Sequence, residues 1–184
     1  NSLNAVGDLD IGVKYGLVTG KKVVLSTHLL LGIPTGKSNF NINSDDISLG
    51  TGDGEVNQVI GLTASSAHQF GGVNGFATVG IEFNNRTNGF SDQTRVNFEI
   101  GGVVKEKLIL VYKLQWLNSL HNGNVNLEDG QGIFSNNIEY VSFTYELAYA
   151  VTKRFGAAFN LGGVYSAKLI LANPSYSLGV YMKF

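Results

Sequence analysis

The chain has 184 residues, the length of one domain or at most two small ones, and a net charge of −1 from 13 Lys and Arg and 14 Asp and Glu. This balance excludes the basic excess of nucleic-acid binders, so no nucleic-acid partner is expected. The absence of cysteine excludes a disulfide framework, a thiolate metal site and a thiol nucleophile. No apolar run approaches the roughly 20 residues of a membrane helix.

Alternation of apolar and polar residues runs through almost the whole chain and predicts β-strands. Most of the predicted strands are about 9 to 13 residues long, whereas soluble strands average about 5 to 6 and a tilted strand crosses a bilayer in about 9 to 11. In chain order, the apolar positions place nine strands at 9–17, 23–33, 60–64, 73–83, 96–100, 108–116, 141–151, 155–165 and 176–184.

The composition of the second strand face distinguishes a membrane barrel from a soluble sheet. That face carries Gly, Ser, Thr and Asn with scattered charges, which suits a crowded or watery lumen. A soluble lipocalin-like barrel would reverse the two faces, and the period alone does not exclude it. Only 15% of the residues are charged, against roughly 25% in soluble domains. We therefore predict a transmembrane, antiparallel, up-and-down β-barrel in a Gram-negative outer membrane, in contact with the lipid bilayer.

The predicted connections alternate in length, as they do in outer-membrane barrels with short periplasmic turns and longer extracellular loops. With a short turn after the first strand and a long loop before the last, nine strands leave one unpaired, although bacterial barrels have an even number. We expect residues 1–184 to form one barrel domain that lacks at least one N-terminal strand, with ten to twelve strands when complete. The short links are 19–22, 65–69, 105–107 and 152–154, and the long ones are 34–54, 84–91, 118–136 and 167–174.

The C-terminal segment and the aromatic residues both fit a membrane barrel. The segment alternates apolar side chains up to a terminal Phe and is similar to the C-terminal signature of bacterial outer-membrane proteins, which implies recognition by the barrel-assembly machinery. The alternative is a last strand that happens to end in Phe. The assembly-signal positions are Tyr176, Leu178, Val180, Met182 and Phe184, and the candidate aromatics for the membrane girdle are Tyr112, Trp116, Tyr145, Tyr149, Tyr165, Tyr176 and Phe184.

Two stretches carry a family resemblance. One is Val6-Gly-Asp-Leu-Asp-Ile-Gly-Val-Lys-Tyr15, and the other is Leu49-Gly-Thr-Gly-Asp-Gly-Glu55, which follows Gly32-Ile-Pro-Thr-Gly36. Together they resemble the outer-membrane transporter family named for the MetA pathway of phenol degradation. The resemblance extends over the strand series to the terminal Phe and places further strands before the Gly-Asp-Leu segment. It implies a transport-type barrel for small molecules, including hydrophobic ones.

Enzymatic and metal chemistry find little support in the sequence. Hydrolysis on a barrel wall needs an outward His beside an outward Ser and an orienting group. His28 has inward parity, His68 falls in a predicted turn and His121 in a long loop, so we predict no enzyme. The acidic residues at 45–46 and 53–55 could hold Ca²⁺, but solvated loop carboxylates are the favoured interpretation. No cofactor is expected.

Seven polar residues of inward parity are the candidates for lining the lumen. Because even eight strands leave an interior filled by side chains, we expect a constricted lumen. The favoured function is passive passage of small solutes. The alternative is a structural barrel with a filled lumen that binds other outer-membrane proteins through its loops or an outward patch of Gly75, Ala77, Ala157 and Gly163. The lumen candidates are Lys14, His28, Glu82, Arg95, Glu99, Lys113 and Glu146.

Overall fold

The computed structural model describes residues 6–37, 41–43, 46–48, 51–125, 135–170 and 172–182. Among these residues, no helix has the length and apolar character needed to cross a membrane. The strands of the main sheet are β1 (Leu9–Val18), β2 (Val23–Ile33), β5 (Asn57–Phe70), β6 (Val73–Arg86), β7 (Gln93–Val104), β8 (Leu108–Ser119), β9 (Glu139–Ala150), β10 (Phe155–Lys168) and β11 (Ser175–Met182). A short ribbon of β3 (Asn41–Asn43) and β4 (Asp46–Ser48) lies in the loop between β2 and β5.

The nine long strands form one antiparallel sheet in which each strand pairs with the next in the chain. The order is β1-β2-β5-β6-β7-β8-β9-β10-β11, interrupted only by the separate β3–β4 ribbon. This is the up-and-down topology expected when every connection is a hairpin, so the predicted fold class is confirmed. β1 and β11 lie at the two edges of the sheet. A complete barrel of ten to twelve strands stays a prediction.

The strand register assigns side chains to two faces, because directly paired residues lie on the same face of a sheet. One row runs Lys14–His28–Gly61–Glu82–Arg95 across five adjacent strands. We call the face that carries this row the polar face. The opposite side of the sheet is the apolar face.

Burial is reversed relative to a soluble protein. The apolar face is exposed along its length: Ile81 is 56% exposed and Leu178 is 86% exposed. The polar face is more sheltered, and it carries the small apolar core of Val111 and Leu117. Strands of 8 to 14 residues with such an exposed apolar side suit lipid as the surrounding solvent.

The hairpin between β5 and β6 differs from its prediction. The link expected at 65–69 is strand, and the turn lies at Gly71 and Gly72, both at positive φ (53° and 84°). The polar sequence of 65–69 resembles a loop, but the turn needs two residues that tolerate positive φ, and the two glycines supply them. The β3–β4 ribbon is a second difference, because it lies in a segment predicted as loop.

The segments that carry the family resemblance meet beside the loop end of β1. The Oδ1 atom of Asp8 accepts a hydrogen bond from the Gly36 amide (2.9 Å), and Thr51 Oγ1 donates to the Val6 carbonyl (3.1 Å). A Cβ atom at Gly36 would lie 2.7 Å from the Thr51 carbonyl oxygen, and one at Gly52 would lie 2.2 Å from Asp8 Oδ1. The glycines of these motifs therefore allow a close approach of loop and strand.

Candidate functional site: the polar face and its loop end

Glu82 on β6 is the centre of the polar face. Its Oε2 atom accepts a hydrogen bond from Arg95 Nη1 at 3.0 Å, and its Oε1 atom accepts one from Asn97 Nδ2 at 3.0 Å and lies 3.7 Å from His28 Nε2. His28 reaches Glu82 across β5 because Gly61 lies between them. A Cβ atom at Gly61 would be 2.2 Å from the His28 ring.

The hydrogen-bonded network continues from Glu82 to β9. Asn97 Oδ1 accepts a bond from Gln115 Nε2 (3.0 Å), and Tyr140 donates its hydroxyl to Gln115 Oε1 (2.7 Å). Side chains from β2 to β9 thus cross-link one face of the sheet. Such a network holds the wall in one arrangement.

A second ion pair lies on the same face, between β8 and β9. Lys113 Nζ is 3.2 Å from Glu146 Oε2, although its direct register partner on β7 is Glu99. Lys113 and Glu99 both line a cavity of about 270 Å³ together with Thr78, Gln115 and Thr144.

All seven candidate lumen residues lie on this one face. The structure brings His28, Glu82 and Arg95 together and pairs Lys113 with Glu146. Lys14 lies opposite His28 in the β1–β2 register. No ion pair of Lys14 or Glu99 occurs among the described residues. Whether these side chains line an aqueous path stays a prediction.

A buried contact between Glu55 and Arg86 at the loop end of the sheet is the main feature that the sequence analysis missed. The Arg86 guanidinium, 4% exposed, binds Glu55 Oε1 through Nε and Nη2, and the Glu55 side chain is fully buried. Arg86 Nη1 also donates to the Asn136 carbonyl (3.0 Å), and its guanidinium lies 4.5 Å above the Phe90 ring. Asp53 Oδ2 is 3.8 Å from Arg86 Nη2. Three loops therefore converge on one guanidinium, which closes over part of the polar face.

The electrostatics of this cluster centre on Glu55. Burial raises the pKa of the Glu55 carboxyl from 4.5 to about 8, and the hydrogen bonds and charge of Arg86 oppose that shift. Asp53 lies beside the same guanidinium and further raises the pKa of Glu55. Two carboxyls share one cation out of water, so the cluster retains a proton on Glu55 near neutral pH.

The interpretation of 53–55 as solvated carboxylates is wrong, because Glu55 is buried and paired with Arg86. In the part of the chain that the structure describes, no three His, Asp or Glu residues are grouped so that they could hold a metal ion. Asp45 lies outside the described residues. Gly54 is at positive φ (76°), so a glycine does allow the return from loop to strand, as the sequence predicted.

His68 lies elsewhere than predicted, whereas His121 lies in a loop as predicted. Because β5 extends to Phe70, His68 lies on a strand with apolar-face parity, and its Nε2 atom is 2.7 Å from Ser66 Oγ. The predicted turn position of His68 is therefore wrong, and the structure places an outward His beside an outward Ser. The positions directly opposite His68 and Ser66 on β6 are Gly75 and Ala77, which supply no orienting carboxylate or amide. His121 contacts Glu139 in the loop region beyond β8.

The candidate girdle aromatics divide into two groups on the apolar face. Tyr112 and Tyr145 lie in mid-strand with ring centroids 5.0 Å apart, and the Tyr112 hydroxyl is 3.4 Å from that of Tyr165. The others lie nearer strand ends: Trp116, Tyr149 and Tyr176. Of the assembly-signal positions, Tyr176, Leu178, Val180 and Met182 share the apolar face of β11, and Phe184 lies outside the described residues.

The small-residue patch proposed for partner contact is not open at Gly163. A Cβ atom there would lie 2.7 Å from the Phe143 ring, which covers the glycine. Phe143 in turn stacks on Tyr165 at 4.6 Å between ring centroids. This part of the outer wall is therefore filled by aromatic side chains of the same sheet.

Comparison with known proteins identifies solved structures with a similar fold. No family model and no curated protein matches the chain, so membership of the phenol-degradation transporter family stays a prediction. Among solved structures, the NanC porin matches 96% of this chain and 79% of its own at a TM-score of 0.60 and 10% identity. The COG4313 outer membrane channel from Pseudomonas putida F1 matches 98% of this chain and 68% of its own at a TM-score of 0.61 and 14% identity. The fold of the chain is that of outer-membrane channel barrels.

Proposed function

We propose that the chain forms an outer-membrane barrel through which small polar solutes pass passively. The observation that carries the proposal is the separation of the two sheet faces. Large apolar side chains such as Ile81 and Leu178 cover one face and are exposed, whereas the ion pairs and amides lie on the other. Lipid suits the first face and water the second. The shared fold with a porin and an outer membrane channel supports the same function.

The polar face favours polar solutes over the hydrophobic ones that the family resemblance implies. Glu82, Arg95 and Asn97 present hydrogen-bonding groups in the middle of the wall. An apolar solute would displace the water that is hydrogen-bonded to these groups and would form no hydrogen bonds in its place. Leaving the groups without hydrogen bonds costs free energy. The network and the Arg86 cluster also narrow the interior, so we expect a small conductance rather than that of a wide porin.

Single-channel recording of the purified protein in a planar bilayer tests the proposal. We expect discrete current steps whose size rises with salt concentration. The Arg95→Glu variant should shift the reversal potential in a KCl gradient towards cation selectivity, because it replaces a cation with an anion in the middle of the polar face. Arg154→Glu is the matched control, since Arg154 lies in an exposed turn. No steps from a barrel shown to be folded by heat-modifiable gel mobility would contradict the proposal.

A second candidate is a barrel with a filled lumen that acts through protein partners. The observation in its favour is the closure of the loop end by Arg86, whose guanidinium binds three loops and is almost inaccessible. This candidate predicts a folded but electrically silent barrel. Co-purification of a stoichiometric outer-membrane protein with the wild type would then support it.

The remaining expectations follow from the same geometry. The alternating apolar face of β11, with Tyr176, Leu178 and Val180, supports recognition by the barrel-assembly machinery. The junction of Asp8, Gly36 and Thr51 supports the resemblance to the phenol-degradation transporter family, because its motif segments meet in space. Deletion of β11 should abolish insertion into the outer membrane, as measured by membrane fractionation.

A further inference from the structure

A cavity of about 280 Å³ lies at the loop end of the polar face, beneath the Arg86 cluster. Strands β5 to β9 and the loops beside them contribute to its wall. One side is apolar and consists of Leu117, Ile138 and Ile170. The other side is polar and includes Asp53, Glu55, Asn84, Arg86, Arg95 and Tyr140. A concave site that combines an apolar wall with a few convergent polar groups is typical of small-molecule binding.

Three buried polar atoms of this wall have no hydrogen-bond partner among the described residues. They are Glu55 Oε2, Asn84 Oδ1 and Arg95 Nε. Each belongs to a side chain that is held by its other atoms: Glu55 Oε1 by Arg86, Asn84 Nδ2 by Asn57 at 2.6 Å, and Arg95 Nη1 by Glu82 at 3.0 Å. Buried polar groups are nearly always paired, so three unpaired ones in one cavity indicate a partner other than the described residues, and a bound solute fits that role.

The chemistry of the wall defines the partner. Asp53 lies beside Arg86, Glu82 neutralises Arg95, and Glu55 is protonated near neutral pH, so the charges around the cavity balance and it favours an uncharged molecule. Asn84 Oδ1 accepts and Arg95 Nε donates, so the partner must both donate and accept. Hydroxyl groups do both, and they can pair with Glu55 Oε2 in either protonation state. The apolar side would cover the C–H surface of such a molecule.

We propose that this cavity binds a small, uncharged, hydroxyl-rich solute of the polyol or monosaccharide class on its way through the barrel. The inference rests on the proposed passage of solutes and names their class. The cavity is close to the lower end of the roughly 300 to 1,000 Å³ of small-molecule pockets, which limits the bound unit to one small ring or a short polyol. The site would select solutes by hydrogen bonding rather than by charge.

Saturation-transfer NMR on the purified, detergent-solubilised protein tests the site, with glycerol and D-glucose as probes. We expect saturation transfer from the wild type to at least one probe. Asn84→Leu and, separately, Glu55→Gln should weaken binding about tenfold, the loss that one buried hydrogen bond explains. Asn160→Leu and Glu106→Gln are the matched controls, because Asn160 lies on the polar face outside the cavity and Glu106 lies in an exposed turn, and they should bind as the wild type does.

The outcomes separate this site from the proposed function. Absence of transfer from folded wild type to both probes would overturn the site, since water alone would then satisfy the three atoms. Equal transfer in all variants, or stronger transfer to D-gluconate than to D-glucose, would overturn it as well. Current steps without probe binding would leave the passage function standing. Probe binding without current steps would support the site and contradict passage.

Discussion

Titration of Glu55 makes protein stability depend on pH in a defined direction. Burial raises the pKa of Glu55 from 4.5 to about 8 in the folded protein, and Asp53 adds to the rise whereas Arg86 opposes it. The folded state therefore holds the proton more tightly than the unfolded state does. The resulting stabilisation is complete below about pH 4.5 and is lost as the pH rises through about 8.

The magnitude follows from the separation of the two pKa values. At about 1.4 kcal/mol per pKa unit, the separation corresponds to about 5 kcal/mol in the free energy of unfolding. About 3 to 4 kcal/mol of this falls between pH 5 and pH 8. Glu55→Gln keeps the shape of the side chain and the acceptor for Arg86 but removes the titration. The variant should lose that part of the pH dependence.

Urea unfolding of the protein in lipid vesicles measures the effect. Trp116, the only tryptophan, lies 57% exposed on the apolar face and reports loss of the lipid contact by its fluorescence. The decrease in stability from pH 5 to pH 8 should be larger in the wild type than in Glu55→Gln by about 3 to 4 kcal/mol. Glu106→Gln, in an exposed turn, should behave as the wild type does. Equal decreases in the wild type and Glu55→Gln would refute the reasoning.

Three further predictions concern close packing, the lipid face and selectivity. Gly36→Ala should cost about 1 to 3 kcal/mol in urea unfolding, because its Cβ would lie 2.7 Å from a backbone carbonyl, whereas Gly179→Ala, with open space, should be neutral; equal costs would contradict the packing argument. Ile81→Arg should cost about 2 to 4 kcal/mol in the same assay because the residue faces lipid, and Asn97→Arg on the polar face should cost less; the reverse order would contradict the face assignment. Glu82→Gln should shift the reversal potential in a KCl gradient towards anions, and an unchanged potential would count against a path beside Glu82.

The strands could be predicted from the sequence because a two-sided environment leaves a period of two in every strand. Ile81 and Glu82 are adjacent in the chain but lie on opposite faces, and the same contrast recurs in Ile100 and Glu99. This alternation can be recognised in each strand without knowing which strands pair with it. The strand series and the face of each candidate residue therefore follow from local sequence. Lipid and water impose the difference, whichever strand is considered.

The loop-end site could not be predicted because its contacts connect residues far apart in the chain. Glu55, Arg86 and Asn136 meet through three separate loops, and nothing in a single loop indicates the other two. From sequence alone, an acidic Gly-rich loop cannot be distinguished from a solvent-exposed loop. The partner that buries Glu55, Arg86, lies 31 residues further along the chain. Arg86 itself falls within the link predicted at 84–91, so its position at the end of β6 was not evident from the sequence.

The turn at Gly71–Gly72 was missed for a different reason. Residues 65–69 are polar, and polar residues predict a loop when composition is considered alone. Ser65 pairs with Thr78 across the polar face (3.0 Å), so its polarity reflects the lumen side of a strand. The two consecutive glycines, which tolerate positive φ, were the better sequence signal for the turn.

The central claim is that the polar face borders water and the apolar face borders lipid, and cysteine labelling tests it most directly. The chain has no native cysteine, so Glu99→Cys and Ile100→Cys each introduce a single thiol at adjacent positions on opposite faces. In intact membranes, a charged, membrane-impermeant maleimide should label the Glu99→Cys variant and leave the Ile100→Cys variant unlabelled. Labelling of the second variant and protection of the first would contradict the account.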